Sequence, residues 1–251
     1  MKNEIYNQIC SKIGQIALLI DPEKTNDDKK LSSLIKKAEF AKIDFFFIGG
    51  STVTRKDLEK VVRFIKRNSH IPVVLFPGSS QQLSDEADAI LFLNLISGRN
   101  PDFLIGHHVA CAEELLSMKL EVIPTSYILV DGGKMTSVVY ISQTTPIPSE
   151  NESIALKTGI AGYLMGQKIT YFDAGSGAKN CVPTSFITNL KERVNMPIIV
   201  GGGIKSIDQI LHYVHAKANV IVIGNKIESD VDFLLDIASL THLKNYTDKS
   251  V

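Results

Sequence analysis

Eight short apolar runs punctuate the chain: QIALLID (15–21), DFFFIGG (44–50), PVVLF (72–76), AILFL (89–93), EVIPTSY (121–127), KITYFDA (168–174), PIIVGG (197–202) and NVIVIG (219–224). Each is apolar on successive residues rather than on alternate ones. A strand with one wet face alternates with period two, whereas a strand covered on both faces does not. Parallel sheets are covered on both faces. Between the runs lie segments of helical period. Leu31, Leu34, Ile35, Ala38 and Ala41 form one stripe, Leu58, Val61, Val62 and Ile65 a second, and Ile207, Ile210, Leu211 and Val214 a third that Ser206 is placed to cap. Eight buried strands with helical stretches between many of them predict an α/β fold, a closed barrel of the TIM (β/α)8 type. An open, doubly wound sheet is the competing arrangement.

Two stretches depart from a regular barrel. Strands three and four are joined by PGSSQQLSDEAD (77–88), which is too short for a crossover helix with its loops. The expected result is a modified barrel lacking the helix after strand three, with a groove or an extended segment in its place. Residues 125–150 are the second departure. SYILVDGGKMTSVVYIS reads as two short β runs around an Asp-Gly-Gly turn, followed by the loop QTTPIPSEN. An insertion there lies at the C-terminal end of strand five, the end where barrel active sites stand. Ahead of strand one, Ile5, Ile9 and Ile13 recur every fourth residue, as in an amphipathic helix plugging the barrel bottom.

Size and charge narrow the choice. The 251 residues suit one barrel domain spanning 1–251. Lys plus Arg number 27, as do Asp plus Glu, so no basic field argues for nucleic acid. Three scattered cysteines, Cys10, Cys111 and Cys181, show no metal-ligand spacing and read as reduced thiols of a cytoplasmic protein. The N-terminus has no continuous apolar core of a signal peptide, and no apolar stretch is long enough to span a bilayer. The last residues, KNYTDKSV, read as a frayed end. Membrane contact would be peripheral at most.

The loops after strands seven and eight carry the first chemical signal. They read VGGGIKS (200–206) and IGNKI (223–227). Glycines let backbone N–H groups approach phosphate oxygens, and a following helix N-terminus adds a favourable dipole. Gly202 and Gly203 precede one helix, and Gly224 and Asn225 follow the last strand. AGSGA (174–178) after strand six is a third donor loop, to which Ser176 adds a hydroxyl; the same glycines also fit an ordinary turn.

Acids mark the rest of that face. Asp21 ends strand one and Ser51 follows strand two. A carboxylate beside a hydroxyl suits Mg²⁺, which takes few protein oxygens and keeps places for substrate phosphates. Asp21 equally fits a helix cap. Asp173 ends strand six, placed to act as a general base or to orient a hydroxyl; alternatively it pairs with Arg99 or Lys179. His107 and His108 start a helix after strand four without a third ligand at metal spacing, which favours capping or pocket lining. Lys168 begins strand six and faces the opposite end.

LLIDPEK, FIGGST, VLFPG, LFLNLISGRNPDFLIG, TYFDAGSGA, VGGGI and IGNKI, in this order from about residue 15 to residue 228, resemble the geranylgeranylglyceryl phosphate synthase family, whose bacterial relatives include heptaprenylglyceryl phosphate synthases. The resemblance implies a barrel without the helix after strand three. It also implies Mg²⁺-dependent transfer of a prenyl group from a long prenyl diphosphate to the sn-3 hydroxyl of glycerol 1-phosphate. By position, Asp21 and Ser51 match the metal residues. Tyr171, Phe172, Asp173, Ala174, Gly175, Ser176, Gly177, Gly202, Gly203, Gly224 and Asn225 match the glycerol-phosphate site, with Asp173 and Tyr171 at the reacting hydroxyl. Leu19 stands where the shorter bacterial branch has Lys, which points to the geranylgeranyl donor; Asp173 stands where many members have Glu, a shorter reach for the same role. A homo-oligomer is expected. The alternatives are a sugar-phosphate isomerase or epimerase, and a barrel that binds phosphate or flavin without catalysis.

Overall fold

The computed structural model describes residues 3–25 and 27–239. Eight parallel strands appear where the apolar runs predict them: β1 (Gln15–Ile20), β2 (Phe45–Ile48), β3 (Val73–Leu75), β4 (Ala89–Leu95), β5 (Glu121–Leu129), β6 (Ile169–Asp173), β7 (Ile198–Gly201) and β8 (Val220–Ile223). Each bonds to the next in sequence, and β8 bonds to β1 with Gln15 opposite Val220. The ring is closed, so the open sheet is excluded. Parity divides each strand. Ala17, Phe45, Phe47, Val74, Leu91, Ile123, Ile169, Ile199 and Val220 fill the barrel. Leu18, Ile20, Phe46, Ile48, Val73, Leu75, Ile90, Phe172 and Ile198 pack outward against the helices. Both sets are buried, which is why the strands read as continuous apolar runs.

The helical stripes become buried faces. α2 (Asp28–Phe40) and α3 (Arg55–Asn68) bury Leu31, Leu34, Ile35 and Ala38, and Leu58, Val61, Val62 and Ile65. α1 (Glu4–Ser11) closes the barrel bottom with Ile5 and Ile9, while Ile13 lies beyond the helix and is exposed. Buried Glu121 accepts hydrogen bonds from the Ile5 and Tyr6 N–H groups, both at 2.9 Å. A charge at the foot of β5 thus caps α1 where Asn3 makes no side-chain cap. Lys168 stands at the same end, its ammonium 5.2 Å from the Tyr6 ring centre.

Residues 77–88 hold turns and no helix, as the length of that link requires. After β4, one π-helical stretch (Asp102–Gly106) runs into α4 (His107–Ser117). The second β run expected within 125–150 is instead a helix, α5 (Ser137–Ser142). A closed barrel offers no edge for another strand. Val130, just past β5, finds its bridge partner in Ile147, beyond the helix. Val138 and Val139 pack on the interior cluster, and the Asn100 amide donates to the Ser142 carbonyl at 2.9 Å. Packing thus overrides the β-branched preference of SVVYIS. α6 (Glu152–Leu164), α7 (Thr184–Lys191), α8 (Ile207–His215) and α9 (Asn225–Ser229) complete the ring. Ser206 caps α8 in a capping box with Gln209. Among the described residues no helix is long and apolar enough to cross a membrane. KNYTDKSV lies outside the described residues.

Candidate active site

The C-terminal ends of the strands open into a cleft of about 250 Å³. Asp21, Ser51, Tyr171, Asp173, Ser176, Gly202, Gly224 and Asn225 all line it. Its walls differ in kind. Toward β1, β6, β7 and β8 they are mainly polar groups and bare backbone, with Leu19, Tyr171 and Val222 between them. Toward β3 and β4 they are Phe76, Leu83, Ile90, Phe92, Leu93 and Leu95, with His107, His108 and Cys111 from α4. Ile90 and Phe92 belong to the outer face of the barrel. The apolar arm therefore leaves the interior and runs over β4 where the missing helix would otherwise lie.

Asp173 is buried on the interior side of β6, level with Leu129 on β5 and Gly201 on β7. Both its oxygens are held. The Tyr127 hydroxyl donates to Oδ2 at 2.5 Å, and the Gly175 N–H donates to Oδ1 at 2.8 Å. The partners of Asp173 are thus a phenol and an amide, not Arg99 or Lys179. Arg99 donates to the Gly98 carbonyl at 2.6 Å. Burial raises the Asp173 carboxyl above the usual carboxylate range, while the bonds from Tyr127 and Gly175 pull it down. Burial, then the charge of Asp173, pushes the Tyr127 and Tyr171 phenols well up, so both stay protonated. Phe76 stacks on Tyr171 with ring centres 5.2 Å apart, and Tyr127 meets Tyr171 edge-on at 5.5 Å. These three rings form an apolar floor under the carboxylate. Tyr127 and Phe76 were not among the sequence candidates.

Three loops meet beside Asp173. Gly202 has φ +86°, and a Cβ there would stand 2.7 Å from Asp173 Oδ1 and from the Ala174 and Gly175 nitrogens. Only glycine lets the β7 loop lie this close to the β6 loop. Asn225, the first residue of α9, ties the β6 and β8 loops together. Its Oδ1 accepts from the Gly177 N–H and from the Ser176 hydroxyl. A glycine pair after β7 with a short helix after β8 is the arrangement by which many barrels hold phosphate. Three predicted residues face elsewhere, and Ala174 is one of them, buried in the outer cluster. The Phe172 ring packs outward, 6.0 Å from Phe186 of α7. Gly203 lies behind the cleft, against the Asn180 carbonyl.

At the end of β1, beside β8, Asp21 does not cap α2; Asp27 does. Asp21 Oδ1 accepts from the Glu23 N–H at 3.1 Å, and its Oδ2 lies 3.5 Å from the Lys24 ammonium. Lys24 also pairs with Glu228 at 3.1 Å. His107 and His108 line the cleft. Burial pulls the His108 imidazole below its usual value, and the ring packs edge-on against Phe92 at 4.4 Å. Among the described residues no three His, Cys, Asp or Glu side chains cluster as a metal cage.

Comparison with known proteins gives consistent matches. Residues 9–241 match the PcrB family profile. A geranylgeranylglyceryl phosphate synthase of Chitinophaga pinensis is 44% identical over 246 residues, covering 96% of this chain and 97% of the relative. Its counterpart in Spirosoma linguale is 44% identical over 224 residues, covering 89% and 90%. The crystal structure of (S)-3-O-geranylgeranylglyceryl phosphate synthase from Thermoplasma acidophilum in complex with its substrate sn-glycerol-1-phosphate superposes with a TM-score of 0.87 at 29% identity, covering 95% and 96% of the two chains.

Proposed function

This chain belongs to the PcrB family, and on that premise we propose that it transfers the geranylgeranyl group of geranylgeranyl diphosphate to sn-glycerol 1-phosphate, making the ether-lipid precursor geranylgeranylglyceryl phosphate. The observation that carries this reading is the two-natured cleft. One pole is a cradle of glycine loops suited to a phosphate. The other is an apolar arm leaving the barrel through the gap after β3, suited to a long hydrocarbon chain.

The reaction breaks the allylic C–O bond to diphosphate and forms a bond from that carbon to the glycerol sn-3 oxygen. Diphosphate leaves with the electron pair, and the hydroxyl loses a proton. In this chain the loops of Ser176, Gly202 and Asn225 bind the glycerol phosphate and fix its free hydroxyl toward the allylic carbon. Asp173, lying between the loops and the floor, accepts the proton. Tyr171 packs against the glycerol. Phe76, Phe92 and Leu93 shield the reacting carbon from water, which would otherwise consume it.

Asp21 and Ser51 fit Mg²⁺. They offer hard oxygens on one wall of the cleft, and Mg²⁺ bound by one or two protein oxygens retains water and substrate phosphate as its other ligands. When bound, Mg²⁺ supplies positive charge that stabilises the departing diphosphate. We assign the enzyme to the cytoplasm as a homo-oligomer; sedimentation velocity tests its assembly.

Incubation with Mg²⁺, labelled glycerol 1-phosphate and prenyl diphosphates of several lengths tests the function. Label should pass into organic solvent, most strongly with the geranylgeranyl donor. No transfer from any donor would overturn the assignment. Asp21→Asn should raise the Mg²⁺ concentration needed for half-maximal rate; an unchanged metal response removes Asp21 from the metal site.

A further inference from the structure

The turn after β5 is built more firmly than a connector requires. The Asp131 N–H bonds the Ile147 carbonyl at 2.9 Å, and the Asp131 carboxylate accepts from the Gly133 N–H at 2.8 Å. The Gly132 carbonyl accepts from the N–H groups of Lys179 and Asn180, at 2.9 and 3.0 Å. These bonds dock residues 131–133 onto the loop that follows β6. They deliver two side chains to the glycine loop. The Lys134 ammonium lies over Gly177, 3.1 Å from where a Cβ on that glycine would stand. Thr136 Oγ1 lies 2.6 Å from the corresponding point on Gly175.

Thr136 carries the second observation. It is 4% exposed, and its hydroxyl has no hydrogen-bond partner among the described residues. It occupies the N-cap position of α5 yet makes no side-chain cap bond. A buried hydroxyl without a partner is costly, so few native ones are left without a role. This one faces the loop assigned above to phosphate.

The charges point the same way. Asp173 and Glu228 both line the cleft near that loop. Lys24 is engaged with Asp21 and Glu228. The cleft wall beside Gly224 is the apolar Leu19. A phosphate dianion held by backbone N–H groups alone would sit beside two carboxylates. The Lys134 ammonium stands over Gly177 of that loop.

We propose that Lys134 and Thr136 are phosphate ligands, with the turn after β5 closing over the Gly175–Gly177 loop to complete the glycerol 1-phosphate site. This rests on the assignment of glycerol 1-phosphate as acceptor. Ser137 and Val138, next in sequence, line the cleft, so the same turn that grips the phosphate also walls the reacting end.

Calorimetric titration of the full chain with sn-glycerol 1-phosphate, together with steady-state kinetics, tests the proposal. Lys134→Met should weaken binding roughly tenfold to a hundredfold, the span of one charge-assisted hydrogen bond, and Lys134→Arg should recover part of it. KM for glycerol 1-phosphate should rise while KM for geranylgeranyl diphosphate stays constant. Thr136→Val should weaken glycerol 1-phosphate binding several-fold without lowering the unfolding midpoint, since the hydroxyl makes no bond in the free protein; Thr136→Ser should bind like the wild type. Unchanged affinity in Lys134→Met and Thr136→Val, or a KM rise confined to the diphosphate donor, overturns the proposal. Failure of the wild-type chain to bind glycerol 1-phosphate overturns the acceptor assignment itself, and this proposal with it.

Discussion

Asp173 shows how much one side chain depends on its surroundings. Burial favours the neutral acid, whereas the bonds from Tyr127 and Gly175 favour the carboxylate that must accept a proton. The burial effect is the larger, so turnover should climb with pH through a limb lying above the ordinary carboxylate range. Tyr127→Phe removes a donor to the ionised form and leaves the burial. That limb should therefore move to higher pH, as a kcat–pH profile will show; a limb that stays in place removes Tyr127 from the control of Asp173. Asp173→Asn should lower kcat by about 10²- to 10⁴-fold, the usual worth of a positioned base, with the circular dichroism spectrum unchanged; near wild-type turnover would end its assigned role. Asp173 was legible in the sequence because an acid at the end of an apolar run is conspicuous. Tyr127 was not. In a run buried on both faces nothing in the residue pattern says which parity looks inward, so a tyrosine there reads as one more core residue.

At the scale of elements, length was a better guide than propensity. The short link 77–88 could not hold a crossover helix, and the structure leaves the outer face of β4 to the cleft. SVVYIS had the composition of a strand but became α5, because its pairing possibilities were already used by the closed ring. The gap after β3 makes chain length a property of α4 and the link together. Cys111 of α4 lines the apolar arm. Cys111→Phe should lower kcat/KM for geranylgeranyl diphosphate several-fold while sparing a shorter prenyl diphosphate, measured with both donors at saturating glycerol 1-phosphate. An equal loss for both donors would place the arm elsewhere.

At the scale of the whole molecule, stability and chemistry occupy opposite ends of the barrel. α1 seals the bottom with Ile9, which is fully buried among interior residues, and the cleft opens at the top. Ile9→Ala should cost about 2–5 kcal/mol of unfolding free energy, read by denaturant titration, yet leave kcat unchanged below the transition; a large kcat loss would show the two ends to be coupled. By itself the sequence determined the eight buried strands, the absent helix, the glycine loops and the strand-end acids, since these rest on local composition and on distances along the chain. Only the tertiary structure decided which faces of the strands look inward, that Tyr127 grips Asp173, that Phe172 turns away from the cleft, and that Lys134 and Thr136 lie over a loop some forty residues further on. Those facts depend on closure of the ring. Closure brings together groups remote in sequence and fixes their parity through contacts that no local window of the chain contains.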